Sequence, residues 1–290
     1  MRTILIAALA FLVCIPTAFA QSVRISVLDR GQADGIVVRT PNHEWVVIDG
    51  GTNKQQADLM NTWGVTTVRL VVISHRHFDH NGGMDNILQD FTITEFIGNL
   101  DDCPGRQSDD TVRNILQTKS IPRANPNGQV ITVDGVTFTI LPTDPTNNTC
   151  PTRENDNSVV VRMDFGEFSM LFTGDAETEE RNWLVANHAS LLDVKVLKAS
   201  HHGADNGVSP SWLTAINPER VVISAGVNTN HEHPRPDAVT AYINAVGQAS
   251  RVYCTNRHKT VTVYGREDGR VRVVRMNPIS KACAFDGTHY

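Results

Sequence analysis

The decapeptide Ser74–Gly83, SHRHFDHNGG, follows the apolar run LVVI and places His75, His77, Asp79 and His80 within six consecutive positions. Imidazole nitrogens and carboxylate oxygens are the donors that zinc and similar divalent cations take. His75 and His77 stand two apart on an extended loop, so their side chains point the same way and can share one cation. Asp79 and His80 follow the turn and can address a second. Two such ions about 3.5–4 Å apart can bind the attacking and leaving oxygens of a phosphodiester, and a metal lowers the pKa of bound water to roughly 7. The chemistry in reach is metal-assisted hydrolysis. Four donors on one loop do not close a site, so others must arrive from elsewhere.

Further polar residues stand at the ends of predicted strands. Asp49 lies in VIDGG, Asp156 and Asn157 in NDNS, Asp175 in LFTGD, His201 and His202 in KASHHG, and His233 in NTNHEHP. Strand ends that gather at one edge of a sheet commonly build such sites. VRISVLD, GIVVRT and EWVVIDGG read as a three-stranded meander, and LVVIS as a short strand covered on both faces. TITEFIGN, VITV, VTFTILP, NSVVVRMDF, FSMLFTG, VKVLKAS, RVVISAG, RVYCT, TVTVYG and RVRVVR supply the later strands. KQQADLMNTWG closed by Gly64, GGMDNILQD, DDTVRNILQTK, AETEERNWLVAN and RPDAVTAYINAVG read as helices. Residues 100–128 are polar and read as a surface excursion, and TNRHK (Thr255–Lys259) as a solvated hairpin. Neither repeats nor a low-complexity linker interrupt the chain. This alternation predicts one α/β domain of two packed sheets with helices outside.

The chain has 290 residues, 40% of them hydrophobic and 20% charged, with a formal charge of −5. No run of lysines or arginines stands out. A protein that grips long nucleic acid through its phosphates shows a basic face, so the balance favours a small or single-stranded substrate. Residues 1–20 combine Arg2, the apolar run ILIAALAFLVCIP and Ala18-Phe19-Ala20, which predicts a signal peptide cleaved near Ala20 and a secreted or periplasmic protein. That apolar run is too short to span a membrane comfortably, so no span is expected in the mature chain. Cys14 leaves with the signal. Cys103, Cys150, Cys254 and Cys283 are an even set in an oxidising compartment, and two disulfides are expected with the pairing open.

The collinear series DxGQxD, IDGG, SHxHxDHxGG, NDNS, LFTGD, HHG and N…HP resembles the metallo-β-lactamase-fold hydrolases. Within them it resembles the soluble hydrolase domain of ComEC-type DNA-uptake proteins, over about residues 23–265. The resemblance implies an αββα sandwich, two mixed sheets with helices on the outer faces, over residues 21–290. It implies two divalent ions, Zn²⁺ or Mn²⁺. His75 and His77 would hold the first, Asp79 and His80 the second, and Asp175 would bridge them. His202 would complete the second site, with His201 as the alternative ligand or else left for substrate or a proton. Asp49 would orient a histidine from behind, Asp79 would also hold the nucleophilic water, and a protonated His201 or His233 near the open side would stabilise charge or assist the leaving group. The superfamily's third histidine on the first metal is missing, since none occurs between His80 and His188; Asp156 or Asn157 stands in its slot. Arg76 is a further departure, at a position where a small residue or proline is common.

The expected function is an exported phosphodiesterase or nuclease with a metal-bound hydroxide as nucleophile, acting on nucleic acid or a small phosphodiester. Hydrolysis of a β-lactam, lactone or thioester is the alternative within the fold. A binding protein that keeps the fold without catalysis is the third reading.

Overall fold

The computed structural model describes residues 21–99, 107–146, 154–227, 231–278 and 283. The signal segment 1–20, Cys103 and Cys150 lie outside the described residues. Ser22–Val27, Gly35–Arg39 and Trp45–Gly50 form the expected antiparallel meander. Val261–Arg266 and Val271–Arg275 extend it on one side. Leu70–Val72, Phe96–Ile97 and Arg123–Ala124 extend it in parallel on the other, giving an eight-stranded sheet. A second sheet of seven strands runs in parallel through Phe168–Phe172, Val196–Lys198, Arg220–Ile223 and Val252–Cys254. Val161–Phe165, Val136–Ile140 and Val130–Val133 complete it in antiparallel fashion.

Strand alternation decides how the sheets meet. Val23, Ile25, Val27, Ile36, Val38, Val46 and Ile48 turn inward and pack on Phe138, Met163, Phe168, Met170 and Phe172 of the second sheet. The outer face of the first sheet is covered in part by the helices Gln55–Thr62, Met84–Asp90 and Gln107–Thr118, through Met60, Ile87, Leu88 and Val112. Thr178–His188, Pro210–Ile216 and Pro236–Val246 cover the second through Leu184, Trp212, Ile216 and Tyr242. The result is the αββα sandwich.

Four segments depart from expectation. TITEFIGN divides: Thr92–Ile93 pairs with Thr67–Val68 in a separate two-stranded sheet, and only Phe96–Ile97 joins the main one. The described part of the 100–128 stretch, from residue 107, is not merely a surface excursion, because Val112 and Leu116 of its helix are buried in the core under the first sheet. In NSVVVRMDF the ladder starts only at Val161; the preceding backbone crosses to the decapeptide, where the Val159 N–H donates to the Ser74 carbonyl at 2.7 Å. TNRHK is a helical turn, not a solvated hairpin. Thr255 and His258 are buried there, and His258 Nδ1 accepts from the Cys254 N–H at 3.0 Å. Of the cysteines, Cys254 is bonded to Cys283.

The parallel strands Trp45–Gly50, Leu70–Val72, Phe168–Phe172 and Val196–Lys198 carry Asp49, His75, Asp175 and His201 at or just past their C-terminal ends. In open α/β sheets that edge is where ligands are received.

Candidate metal centre

Asp49 ends its strand in the left-handed region (φ 58°), which turns its carboxylate back toward the decapeptide. One oxygen accepts the Ser74 N–H at 2.7 Å; the other accepts the Ser74 hydroxyl at 2.7 Å and His80 Nδ1 at 2.8 Å. An ionised carboxylate only accepts, so His80 carries its proton on Nδ1 and its Nε2 lone pair faces the centre. The Ser74 hydroxyl, having donated to Asp49, can accept from His75 Nδ1 at 3.1 Å, which likewise frees His75 Nε2. Glycines bring the two motifs this close. A Cβ on Gly83 would lie 2.4 Å from the Gly50 carbonyl oxygen, so NGG and DGG rest backbone on backbone.

His201, His202 and Gly203 all take positive φ (47°, 52° and 80°), a tight left-handed turn that sends the two imidazoles to different places. His202 is buried, and its Nδ1 donates to the Ser224 carbonyl at 2.9 Å; a carbonyl cannot donate, so Nε2 again offers a lone pair. That nitrogen lies 3.3 Å from the Asp79 carboxylate and 3.5 Å from Asp175. His201 stays at the mouth. Its Nδ1 is 2.9 Å from Asn206 Oδ1 and 3.2 Å from Glu177, and its Nε2 is 3.9 Å from Asp175.

Asp175 is the common neighbour. Its oxygens stand 3.2 Å from His80 Nε2, 3.5 Å from His202 Nε2 and 3.9 Å from His75 Nε2. His75 Nε2 and His77 Nδ1 approach to 3.0 Å beside it. Donor atoms of Asp79, His80, Asp175 and His202 all lie within 4.8 Å of one another. Within this cage His80 Nε2, His202 Nε2 and one Asp175 oxygen are buried without a hydrogen-bond partner. Such orphans are costly unless something binds them. Donors about 2.1 Å from a tetrahedral zinc stand roughly 3.4 Å apart, so spacing and chemistry both fit a divalent cation.

The electrostatics agree. Burial pushes Asp175 and Asp79 upward, but His202 and His80 outweigh it and hold both carboxyls below their ordinary range. Burial lowers His80, yet Asp175 and Asp49 raise it well above an ordinary imidazole, so the field favours positive charge at that point. Burial and then the charge on His80 hold His75 well below. His233 falls to about 4 through burial and the neighbouring His201 and His202. The Gln32 amide nitrogen donates to its Nδ1 at 2.9 Å, so a neutral His233 keeps its proton on Nε2.

Asp156 is not among the donors that gather in the cage. The buried Asp156 carboxylate accepts the Glu180 N–H at 3.2 Å, on the first turn of Thr178–His188. From the same segment it is Asn155 that faces the mouth, 3.5 Å from His201 Nε2. Burial, then Glu179, raises Asp156 to about 6. A carboxyl raised above its unfolded value of about 3.9 favours the fold most when protonated, below that value, and loses this contribution as pH climbs through 6. Asp156→Asn stays neutral and keeps an acceptor. Its Tm relative to wild type is therefore expected to rise between about pH 4 and 6 and then level off; a pH-independent difference would contradict this.

Sequence reasoning singled out Arg76 without a role and passed over its partners. Arg76 is buried, forms two side-chain hydrogen bonds of 2.9 Å to Glu154, and lies 3.6 Å from Asp109. Asp34, the last residue of DxGQxD, was likewise missed. It is buried 2.5 Å from Lys198 Nζ, 3.5 Å from His202 Nδ1 and 3.9 Å from His80 Nδ1, and it accepts the Ser224 hydroxyl.

The sandwich and a His/Asp cage at the strand ends define a metallo-hydrolase scaffold. The metallo-beta-lactamase superfamily matches residues 28–227, and the chain belongs to that family. It is similar to Competence protein ComA of Neisseria gonorrhoeae, 27% identical over 77% of this chain and 30% of that protein. It is also similar to ComE operon protein 3 of Bacillus subtilis, 24% identical over 77% of this chain and 31% of that one. The chain therefore spans about a third of the length of these relatives. Among solved structures, CmlA, a diiron beta-hydroxylase from Streptomyces venezuelae, shares the fold with a TM-score of 0.55 at 12% identity, over 89% of this chain and 54% of that one.

Proposed function

We propose that the protein is an exported, metal-dependent phosphodiesterase. The observation that carries this reading is the convergence of buried, partnerless His80 Nε2, His202 Nε2 and Asp175 oxygen beside Asp79. His75 and His77 would hold one Zn²⁺ or Mn²⁺, Asp79, His80 and His202 a second, with Asp175 between them. Such cations supply an acidified water and draw charge from a phosphoryl oxygen. Asp79, partly exposed and kept ionised, would accept a hydrogen bond from such a water and fix its direction. His201, braced by Asn206 and Glu177 at the mouth, is placed to give a proton to the leaving oxygen. His233 donates its Nε2–H to substrate.

Two histidines at the mouth suit an anionic ester better than a β-lactam, and the name of the Neisseria gonorrhoeae relative, a competence protein, points to nucleic acid. Export is supported by the signal-like segment and the Cys254–Cys283 bond; no helix among the described residues is long and apolar enough to cross a membrane. The test is to measure metal content and turnover of bis-p-nitrophenyl phosphate, single-stranded DNA and nitrocefin side by side. His202→Ala is expected to lose about one metal equivalent, whereas His201→Ala keeps its metal and turns over on the order of 10²-fold slower. Nitrocefin turnover without phosphodiester cleavage would replace this reading with a β-lactamase.

A further inference from the structure

The sequence has no basic run, yet strand pairing gathers one on the outer face of the eight-stranded sheet. Arg272 lies opposite Tyr264, Tyr264 opposite Arg24, Arg24 opposite Arg39, and Arg39 opposite Trp45. The row crosses five strands, about 19 Å at the usual spacing. These positions alternate with the inward residues Val23, Ile25, Val38, Val46 and Val263.

Like charges directly opposite each other repel. No carboxylate among the described residues pairs with Arg24, Arg39 or Arg272. Arg24 instead lies 5.1 Å from the Trp63 ring centre and Arg39 5.4 Å from that of Trp45, and the two indoles stack on each other at 5.8 Å. Aromatic faces steady the guanidiniums and leave their charge unneutralised. Beside Tyr264, Arg266 and Arg270 share the single carboxylate of Asp268 along a hollow of about 370 Å³ that Arg272 also lines.

A groove of about 910 Å³ runs along the same face. Arg24 and Trp63 line it at one end, Arg30 and Lys259 at the other, and Leu59, Val274 and Met276 give it an apolar wall. Its carboxylates are already engaged, Asp29 with Lys259 at 3.2 Å and Asp58 with Lys54 at 3.7 Å. Arg30 opens the loop whose Gln32 touches His233 and whose Asp34 sits behind His80 and His202, so the groove leads to the rim of the metal centre.

We propose that this face binds single-stranded nucleic acid and feeds it to the metal centre, an assignment that rests on the phosphodiesterase reading for what happens there. Guanidiniums without carboxylates match phosphates, while apolar wall, tyrosine and guanidinium planes match unpaired bases. That combination is how strands are held without sequence preference. A duplex, with its bases turned inward, would leave the apolar wall uncovered.

The test is fluorescence anisotropy of a labelled twelve-residue oligothymidylate on the intact chain, with hydrolysis of bis-p-nitrophenyl phosphate measured in parallel. Arg272→Glu with Arg270→Glu, both on exposed side chains, and separately Arg24→Gln with Tyr264→Ala, are each expected to weaken binding at least tenfold. Each lost phosphate contact should flatten the salt dependence by about 0.7 in log–log slope. Hydrolysis of the small diester should stay unchanged. Wild-type affinity in both variants overturns the proposal and leaves the hydrolase intact. Binding lost in both variants by a chain that cleaves no phosphodiester upholds the binding face and removes the enzymatic reading. If instead the variants lose only affinity for phosphatidylglycerol vesicles, the face is a membrane contact and the proposal fails.

Discussion

Asp175→Asn is expected to lower phosphodiester turnover on the order of 10³-fold, about 4 kcal/mol of transition-state stabilisation, and to release at least one metal equivalent. The substitution keeps side-chain volume and removes only charge and one acceptor, so its effect reads electrostatics, not packing. The carboxylate it replaces is buried and stands 3.2–3.9 Å from nitrogens of His75, His80, His201 and His202. Without it only Asp79, at the edge of the cage, is left to balance them, 3.3 Å from His202 and 4.0 Å from His80. Elemental analysis of the purified variant, with kcat and KM on bis-p-nitrophenyl phosphate, checks both halves. A variant with wild-type metal and wild-type turnover would show that the cage is not the active site.

The second large effect comes from a residue whose buried side chain is held by carboxylates outside the cage, Glu154 and Asp109. Arg76→Ala is expected to lower Tm by about 10 °C. Taking one partner from a buried ion pair costs about 3–5 kcal/mol, and in a chain of this size each kcal/mol is worth about 2–4 °C. Glu154 and Asp109 would be left as buried carboxylates without their guanidinium. Arg76→Lys should recover little, because a single ammonium cannot reproduce the two bonds to Glu154. Since Arg76 sits between His75 and His77, the loosened loop should also bind metal more weakly. Thermal melts with and without added Zn²⁺ measure both. Adding Glu154→Gln to Arg76→Met should restore part of the loss, which a mere packing role for Arg76 would not predict.

The decapeptide, Asp49, Asp175 and the HHG turn were legible as candidates because each combines donor residues with glycines just past a strand-like run, a pattern local enough to read from the chain. The two-sheet sandwich was legible for a similar reason, since alternation such as VRISV marks one inward and one outward face. Contacts made across long separations were not. Arg76 meets Glu154 78 residues away, and Asp34 meets Ser224 190 residues away. In sequence Asp34 closes the DxGQxD motif without any mark of what it will touch, and only folding sets it behind two imidazoles. His201 and His202 illustrate the same limit: adjacent letters of one type, divided by a left-handed turn into a buried ring and a ring at the mouth. TITEFIGN misled because a run with strand propensity carries no mark of which sheet each half will join.

The Asp34–Lys198 pair spans the two halves of the sandwich, and so does the cage, with Asp79 and His80 on one side and Asp175 and His202 on the other. A cation seated there would act as a rivet, its occupancy tied to how firmly the halves are pressed together. Chelators would then do more than stop turnover: they would slacken the seam, and proteases would find the loops flanking it sooner than they find the helices outside.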